Sequence, residues 1–270
     1  VGGGTHAKQT SQVMIKFEDI CLNICPSIVV LAGDVNSTLA CAIVASKLHV
    51  KIAHIESGLR SFDRKMPEEI NRIIVDSISD LLFTTESSGN SNLLKEGIST
   101  SKIYFVGNTM IDSLVKYIPK AQKMKPWIKY GFSGNDYILL TLHRPSNVDN
   151  ETNLKNLFSE LLKISSLSPI IFVIHPRTKS NILKYDIKLP ENIILVDPLP
   201  YIEFLGLMSK AKFVLTDSGG MQEETTVLNV PCLTLRDNTE KPVTVEQGTN
   251  TLIGKVSNNI SKKIIEIIEK

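Results

Sequence analysis

The chain has 270 residues, of which 42% are hydrophobic and 21% charged, and its formal net charge is +2. This composition excludes a collagen-like, low-complexity or wholly disordered chain, and the length suits one large or two small domains. Basic and acidic side chains are interspersed, and no apolar run reaches the roughly 18 residues that a membrane-spanning helix needs. The sequence therefore indicates a globular protein that binds neither nucleic acid nor membranes.

The chain contains four cysteines, Cys21, Cys25, Cys41 and Cys232. None of them forms a CxxC pair, and all lie in apolar stretches, which is typical of buried thiols in a reducing compartment. Cys21 and Cys25 could instead pair, although their spacing also fits one face of a helix. With no signal peptide visible, we expect a cytoplasmic protein.

Apolar runs of strand length alternate with segments of helical periodicity through the first part of the chain. The predicted strands are Ser27–Gly33, Val50–Ile55, Leu81–Thr84 and Ile103–Val106. The predicted helices are Asn36–Leu48, Glu68–Asp80, Ser87–Glu96 and Thr109–Lys120. Repeated βα units with apolar strands predict a parallel sheet whose two faces are covered.

The segment from Lys120 to Asp136 breaks this alternation, and we expect domains at residues 1–118 and 119–270. The second series of predicted strands is Tyr137–Leu142, Ile170–Ile174, Ile193–Val196, Phe213–Thr216 and Cys232–Leu235. Its predicted helices are Asn153–Ser166, Ile202–Ser209, Gly220–Leu228 and Ile260–Ile268. The pattern predicts an α/β protein of two doubly wound units with a crevice between them. Ligands of such sheets bind beyond the carboxyl ends of the strands.

Three carboxylates lie at predicted strand or helix ends in the first unit. Asp34 and Glu56 close two strands, and Glu68 opens a helix after a loop. Carboxylates held close together acquire different pKa values, so one can serve as an acid and another as a base. Structural alternatives remain open: an N-cap at Asp34, a surface pair of Glu56 with Arg60, and ordinary helix-start chemistry at Glu68.

Histidine and arginine side chains close three strands of the second unit. His143 and Arg144 follow the first of these strands, where they suit a phosphate or a developing anion. His175 closes the next strand, either near the ligand or in a simple turn. Arg236 closes a later strand, where a charged surface loop is the alternative.

The most specific motif runs from Asp217 to Glu224, with the sequence DSGGMQEE. An apolar strand ends at Asp217, and the glycines open a helix whose free N–H groups can hold a phosphate. We interpret Ser218, Gly219 and Gly220 as phosphate-binding residues and Glu224 as an acceptor for ribose hydroxyls. The motif matches neither a P-loop nor G-x-G-x-x-G, so neither ATP hydrolysis nor a nicotinamide follows.

Together these motifs resemble the non-hydrolysing UDP-N-acetylglucosamine 2-epimerase family. The resemblance covers essentially the whole chain and rests on GD, HIESGLRSFDRKMPEEINR, VGNTMIDSL, the HR after a strand, DSGGMQEE, and RDNTEKP with EQGT. It implies two Rossmann-like domains in a glycosyltransferase-B-type arrangement with the UDP-sugar between them. It also implies a homodimer and a role in polysaccharide biosynthesis.

The activity implied by this resemblance is reversible epimerisation at C2 of UDP-N-acetylglucosamine to UDP-N-acetylmannosamine, with neither NAD nor a metal. The implied catalytic residues are Asp34, Glu56, Glu68 and His143. The implied UDP-binding residues are Arg144, His175, Ser218, Gly219, Gly220, Glu224 and Arg236, and Arg60 would line the substrate.

The chain departs from the family pattern in three places. It starts well after the family's first strand and G-[TS]-R-P-E loop, so we expect a partial N-terminal domain. It stops at Lys270, before the family's longer helical tail. After the HR, Pro145-Ser146-Asn147 replace the second charged residue that many relatives carry.

The C2–H of the sugar is not acidic, since no ketone adjoins it, and direct proton removal is therefore excluded. In the family's reaction UDP leaves C1 while a base takes the C2 proton, which gives a 2-acetamidoglucal to which UDP adds back. The carboxylates supply base and acid, in either assignment. Three alternatives stay open: a UDP-sugar glycosyltransferase, a hydrolysing epimerase, and an inert nucleotide-sugar-binding chain.

Overall fold

The computed structural model describes residues 4–254 and 260–268, and it divides into two compact units, Val1–Thr109 and Met110–Lys270. The division falls at the start of helix α5 (Thr109–Met124), because Leu114 and Ala121 of this helix are buried in the core of the second unit. The boundary expected from the sequence, between residues 118 and 119, lies inside α5.

The first unit contains a four-stranded parallel sheet whose strands are hydrogen-bonded in the order β1-β2-β3-β4. These strands are β1 (Ile28–Ala32), β2 (Lys51–Ser57), β3 (Leu81–Thr84) and β4 (Ile103–Phe105). All four were predicted, because each is a short apolar run between polar segments. The pairing of β2 with β3 is irregular between Ile55 and Ser57.

The helices of the first unit are α1 (His6–Ile24), α2 (Asn36–Lys47), α3 (Pro67–Ile78) and α4 (Ser87–Lys95). Residues of α1, α2 and α3 share one apolar core with β1 and β2, around Cys21, Ala42, Ile52 and Val75. The sequence did not predict α1, since only one of its side chains is buried and its apolar period is weak. The Thr5 hydroxyl caps this helix by accepting the Lys8 N–H.

The second unit contains a six-stranded parallel sheet in the order β10-β9-β8-β5-β6-β7. Its strands are β5 (Ile138–Thr141), β6 (Ile170–Val173), β7 (Ile193–Val196), β8 (Phe213–Thr216), β9 (Cys232–Thr234) and β10 (Asn250–Leu252). From β5 the chain adds strands toward one edge, and from β8 it adds strands toward the other. The strand order therefore reverses between β5 and β8, which is the ligand-binding position of a doubly wound sheet.

Helices cover both faces of this second sheet. They are α5 and α6 (Pro145–Val148), α7 (Glu151–Ser165), α8 (Pro176–Lys184), α9 (Tyr201–Met208), α10 (Gly219–Val227), α11 (Val243–Glu246) and α12 (Ile260–Ile268). Successive residues of β5 point to opposite faces: Ile138 and Leu140 enter one core and Leu139 the other. Strands buried on both faces explain the continuous apolar runs in the sequence.

All four cysteines are free thiols. Cys21 and Cys232 are buried and Cys41 is half-buried, but the expectation of a buried Cys25 was wrong. Cys25 follows the last turn of α1 in a left-handed conformation and faces solvent there. Within residues 4–254 and 260–268, no helix is long and apolar enough to cross a membrane.

Candidate active site

Charged and polar side chains of the second unit lie together where the strand order of its sheet reverses, between β5 and β8. His143 and Arg144 follow β5, and Asp217 and Ser218 follow β8, which is the neighbouring strand. Arg236 follows β9 on the far side of β8. Because carboxyl ends of parallel strands share one edge, these residues share the edge at which ligands bind.

Asp217 joins the two central loops of this edge. Its fully buried carboxylate accepts the backbone N–H groups of His143 and Arg144, at 3.1 and 2.9 Å, and the side-chain amide of Asn147 at 3.1 Å. The His143 Nδ1 atom lies 2.9 Å from Oδ1 of the same carboxylate. Burial alone would raise the pKa of Asp217, but these donors outweigh it and the pKa is lowered.

The helix start after Asp217 is shaped for close approach of a ligand. Ser218 is the N-cap residue of α10, and Gly219 and Gly220 form its first turn. The first N–H groups of a helix have no partner inside the helix, and the helix dipole adds positive potential. A Cβ at Gly219 would collide with the Glu240 carboxylate. Glycine at position 219 therefore leaves room for the Glu240 carboxylate, and the helix start can hold a phosphate.

Glu224 and Tyr201 form a pair beside this helix start. The Tyr201 hydroxyl donates to Oε1 of Glu224 at 2.8 Å, and the Glu224 side chain is largely buried. Burial raises the pKa of Glu224, with the Tyr201 hydrogen bond acting in the opposite direction. The second carboxylate oxygen can accept from a ribose hydroxyl, which is consistent with the role predicted for Glu224.

His175 and Arg236 lie at the same edge of the sheet. The His175 ring is 5.7 Å from the His143 ring, and its Nδ1 accepts the Arg177 N–H at the start of α8. Burial, then the neighbouring His143 and Arg177, lower the pKa of His175. The buried guanidinium of Arg236 donates to Glu240 Oε2 at 2.6 Å. Both residues therefore lie where the sequence placed them.

In the first unit, Asp34 follows β1 after Gly33, whose φ of +70° is in the left-handed region. The Asp34 carboxylate pairs with Arg72 of α3 at 2.5 Å, and its carbonyl accepts the side-chain amide of Asn71 at 2.7 Å. Two contacts from α3 thus fix a half-buried carboxylate at the carboxyl edge of the sheet.

Glu56 occupies the irregular position between Ile55 and Ser57 in the pairing of β2 with β3. Its φ of +68° is unusual for a residue with a side chain and costs roughly 1–2 kcal/mol. β2 is hydrogen-bonded to β1 here, since the Gly33 N–H donates to the Ile55 carbonyl at 3.2 Å. Glu56 and Asp34 therefore follow adjacent strands, and the bulge turns the Glu56 side chain out of the regular alternation.

A buried network supports the end of β2, which carries Glu56, and the loop that follows it. Oδ1 of Asp76 lies 2.7 Å from His54 Nδ1, and Oδ2 accepts the Gly58 N–H at 3.1 Å and lies 2.7 Å from Arg60 Nη1. Arg60 also makes a two-point pair with Glu96, at 2.8 and 2.6 Å. The Arg60 side chain, predicted to line the substrate, is almost fully buried between these carboxylates and braces the loop.

The two acidic residues that open α3 have different surroundings. Glu68 is half-buried and lines a cavity of about 260 Å³ together with Asn36, Asn71 and His6. Glu69 is buried: its carboxylate accepts the backbone N–H groups of Ser61 and Phe62 and pairs with Arg72 at 2.8 Å. Glu68 is thus the accessible carboxylate, whereas Glu69 holds the preceding loop.

The stabilising effect of Glu69 is expected to depend on pH. Burial would raise its pKa, but the Ser61 N–H and Arg72 outweigh this and lower it. A lowered pKa in the folded state stabilises the fold above the ordinary glutamate value, about 4.3, and this stabilisation is lost as pH falls through the folded value. In urea unfolding, Glu69→Gln should lower stability at pH 7, and the difference from the parent should shrink on acidification. A pH-independent difference would contradict this; the exposed Glu18→Gln is the control.

Asp217, Asp76 and Tyr201 were not among the predicted site residues, although Asp217 begins the DSGGMQEE motif. Asp217 stands directly after an apolar strand, the same signal that selected Asp34. Asp76 lies seven residues after Glu69, so both face the sheet from one side of α3, and a buried acid on such a face indicates a paired role. Nothing in the sequence distinguished Tyr201, since its contact with Glu224 joins separate helices.

The reversed strand order, with a Gly-Gly helix start and basic side chains beside it, defines a nucleotide-binding α/β protein of the Rossmann type. A family model described as UDP-N-acetylglucosamine 2-epimerase matches residues 1–270. The chain belongs to this family, as the sequence analysis predicted.

Two curated relatives illustrate the range of the family. The UDP-N-acetylglucosamine 2-epimerase of Methanocaldococcus jannaschii is 45% identical over 279 residues, which cover 100% of this chain and 76% of the relative. The UDP-2,3-diacetamido-2,3-dideoxy-D-glucuronate 2-epimerase of Pseudomonas aeruginosa is 42% identical over 258 residues, which cover 94% of this chain and 71% of the relative. The chain thus matches roughly three quarters of each relative.

A solved structure of the M. jannaschii enzyme in complex with UDP-GlcNAc and UDP matches with a TM-score of 0.92. The match has 45% identity and covers 100% of this chain and 76% of that one. Agreement of this kind over the whole chain confirms the predicted fold class of two Rossmann-like α/β units.

Proposed function

We propose that this protein is a non-hydrolysing epimerase that interconverts UDP-N-acetylglucosamine and UDP-N-acetylmannosamine by elimination and re-addition of UDP. The observation that carries the proposal is the convergence of His143, Arg144 and the Gly219–Gly220 helix start at the strand reversal of the second sheet. Because the chain belongs to the epimerase family, the ligand proposed for this anion-binding edge is a UDP-sugar.

The second unit is proposed to hold UDP. The first turn of α10, with Ser218, Gly219 and Gly220, offers backbone and hydroxyl donors to the diphosphate. Glu224 accepts from the ribose, because a carboxylate beside the diphosphate would repel it. Arg144, His175 and Arg236 add donors or positive potential along the same edge.

The first unit is proposed to supply the proton transfers. Departure of UDP from C1 breaks the C1–O bond and leaves its electrons on the phosphate oxygen. A carboxylate removes the C2 proton, and the electrons of the C2–H bond form a double bond between C1 and C2. Return of a proton to the opposite face, with re-addition of UDP, inverts C2. Asp34, Glu56 and Glu68 are the carboxylates proposed for these steps, since all three are half-buried at the carboxyl edge of the first sheet.

Incubation of the purified protein with UDP-N-acetylglucosamine is expected to yield UDP-N-acetylmannosamine, identified by NMR. In heavy water the product should gain deuterium at C2. An oxygen-18 label in the C1–O–P bridge should scramble into non-bridging positions, because free UDP can rotate before it adds back. UDP-2,3-diacetamido-2,3-dideoxy-D-glucuronate, tested in parallel, measures whether this chain shares the specificity of the Pseudomonas relative.

Other products would identify other reactions. Free N-acetylmannosamine with UDP indicates a hydrolysing epimerase, and a glycoside formed with an added acceptor indicates a glycosyltransferase. Binding of UDP without turnover indicates a nucleotide-sugar-binding chain. Deuterium uptake without scrambling of the bridge would contradict the elimination route.

Family membership also supports two properties of the whole molecule. We propose that the chain forms a homodimer, which light scattering after size exclusion would detect as the mass of two chains. We also propose a cytoplasmic location, supported by four cysteines that all remain free thiols.

A further inference from the structure

The Asp217 carboxylate is buried to 0% exposure at the end of β8. An ionised carboxylate removed from water is unfavourable unless hydrogen bonds compensate for the lost hydration. Among the described residues, the donors to this carboxylate come from the segment after β5, namely His143, Arg144 and Asn147. These residues lie 70 to 74 positions away in the sequence.

The two oxygens of Asp217 have different partners. Oδ2 accepts the Arg144 N–H at 2.9 Å and the Asn147 side-chain amide at 3.1 Å. Oδ1 lies 2.9 Å from the imidazole Nδ1 of His143. The backbone N–H of His143 lies between them, at 3.1 and 3.2 Å. Since an ionised carboxylate can only accept, the atom that faces Oδ1 must carry a proton.

The orientation of the His143 ring follows from this contact. With Nδ1 directed at Asp217, Nε2 lies on the opposite side of the imidazole, and the side chain retains 42% exposure. The groups that face this ring are Asp217 and the His175 ring, at 5.7 Å, with Arg144 as its neighbour in the chain. Nε2 is therefore the ring atom available to a ligand.

We propose that Asp217 is a positioning residue that fixes the Nδ1–H form of His143, so that a protonated His143 presents its Nε2–H to the departing UDP. The inference rests on the proposed elimination of UDP. As the C1–O bond breaks, its electron pair stays on the phosphate oxygen, which accepts a hydrogen bond from Nε2–H. Fixed donors aimed at developing charge are an effective form of transition-state stabilisation.

Asp217→Asn gives a sharp structural expectation. The single amide oxygen should occupy the Oδ2 position, where two donors require an acceptor. The NH₂ group then takes the Oδ1 position and donates to His143 Nδ1. Neutral His143 would then carry its proton on Nε2. A proton on Nδ1 is unfavourable in this variant, because it would point at the amide NH₂ group, which is also a donor. The neutral ring still carries a donor at Nε2, but the carboxylate that favours a protonated ring is gone, so the hydrogen bond to the departing phosphate oxygen is no longer charge-assisted.

Nitrogen-15 NMR of the histidine rings tests the assignment without reference to catalysis. In the parent protein, the neutral His143 ring, assigned by its loss in His143→Gln, should be in the Nδ1–H form. In Asp217→Asn it should change to the Nε2–H form. Asp197→Asn is the matched control, because the exposed Asp197 follows β7 at the same edge and pairs with Lys179. An Nε2–H ring in the parent protein would overturn the inference, even if the variant does not fold.

Kinetics test the consequence. Asp217→Asn should lower kcat more than it changes KM, by up to about 10²–10³-fold, which is the loss seen when a transition-state donor is removed altogether. Because Asp217 acts through His143, the double variant Asp217→Asn/His143→Gln should be no slower than His143→Gln alone. Multiplicative losses in the double variant, or an unchanged kcat in Asp217→Asn, would overturn the positioning role.

The two proposals can fail separately. A parent protein with the Nδ1–H ring that does not convert UDP-N-acetylglucosamine refutes the proposed function, and with it the role in UDP departure, but leaves the Asp217–His143 pairing intact. A parent protein that is active and shows the Nε2–H ring refutes the inference alone.

Discussion

Glu56→Gln is expected to lower turnover by about 10²–10⁴-fold while the affinity for UDP changes little, because general acid–base groups contribute about that much. The amide keeps the size of the side chain and its backbone position in the β2 bulge, but it cannot take a proton. UDP affinity should persist because the proposed UDP-binding residues all lie in the second unit. Steady-state rates and calorimetry with UDP measure the two quantities separately.

The same experiment extends to the other two carboxylates. Asp34→Asn and Glu68→Gln should also lower turnover more than UDP affinity, and Glu18→Gln, on the exposed face of α1, is the control. The Asp34 variant additionally weakens the contact with Arg72, so its stability must be measured alongside. Near-normal rates for all three variants in an active protein would rule out these residues as the acid and base.

Gly58→Ala is expected to destabilise the first unit strongly. Gly58 has a φ of +80°, and an added Cβ would lie 2.5 Å from the Gly89 carbonyl oxygen and 2.8 Å from the Gly89 Cα. Both contacts are with backbone at the start of α4, which a side-chain rotation cannot relieve. Backbone strain and overpacking together should lower the free energy of unfolding by roughly 2–6 kcal/mol.

Gly97→Ala is the matched control for Gly58→Ala. Gly97 has a similar φ of +84°, but no atom lies within 4 Å of an added Cβ. Only the conformational penalty applies there, roughly 1–2 kcal/mol. Urea unfolding followed by circular dichroism gives both values. Equal losses in the two variants would mean that the close approach of Gly58 to Gly89 contributes nothing.

The elements of the fold were predictable where local pattern decides them. Each strand of the second sheet except β10 is an apolar run that ends at a polar residue, so both the strand and the site residue after it could be located. β10 was missed because Asn250–Leu252 is only three residues long, and one of them is a buried asparagine. Helix α8 was missed because its sequence is mostly polar and only two of its residues are buried.

The partners of the site residues could not be predicted in the same way. From the sequence, Glu56 was a possible partner of Arg60, but the structure pairs Arg60 with Asp76 and Glu96, 16 and 36 positions away. Asp217 likewise finds its donors 70 or more positions away. Which buried charge meets which donor depends on the packing of helices on the sheet, and a sequence pattern describes only one element at a time.

The left-handed backbone at Glu56 places activity and stability in opposition. Glycine adopts this conformation without the penalty that a side chain carries, about 1–2 kcal/mol. Glu56→Gly therefore relieves the backbone strain at this position, and a clone that carries it has no proton-transfer group there. Directed evolution of this enzyme accordingly needs a screen for turnover in every round, because the substitution that relieves this backbone strain removes a proposed catalytic carboxylate.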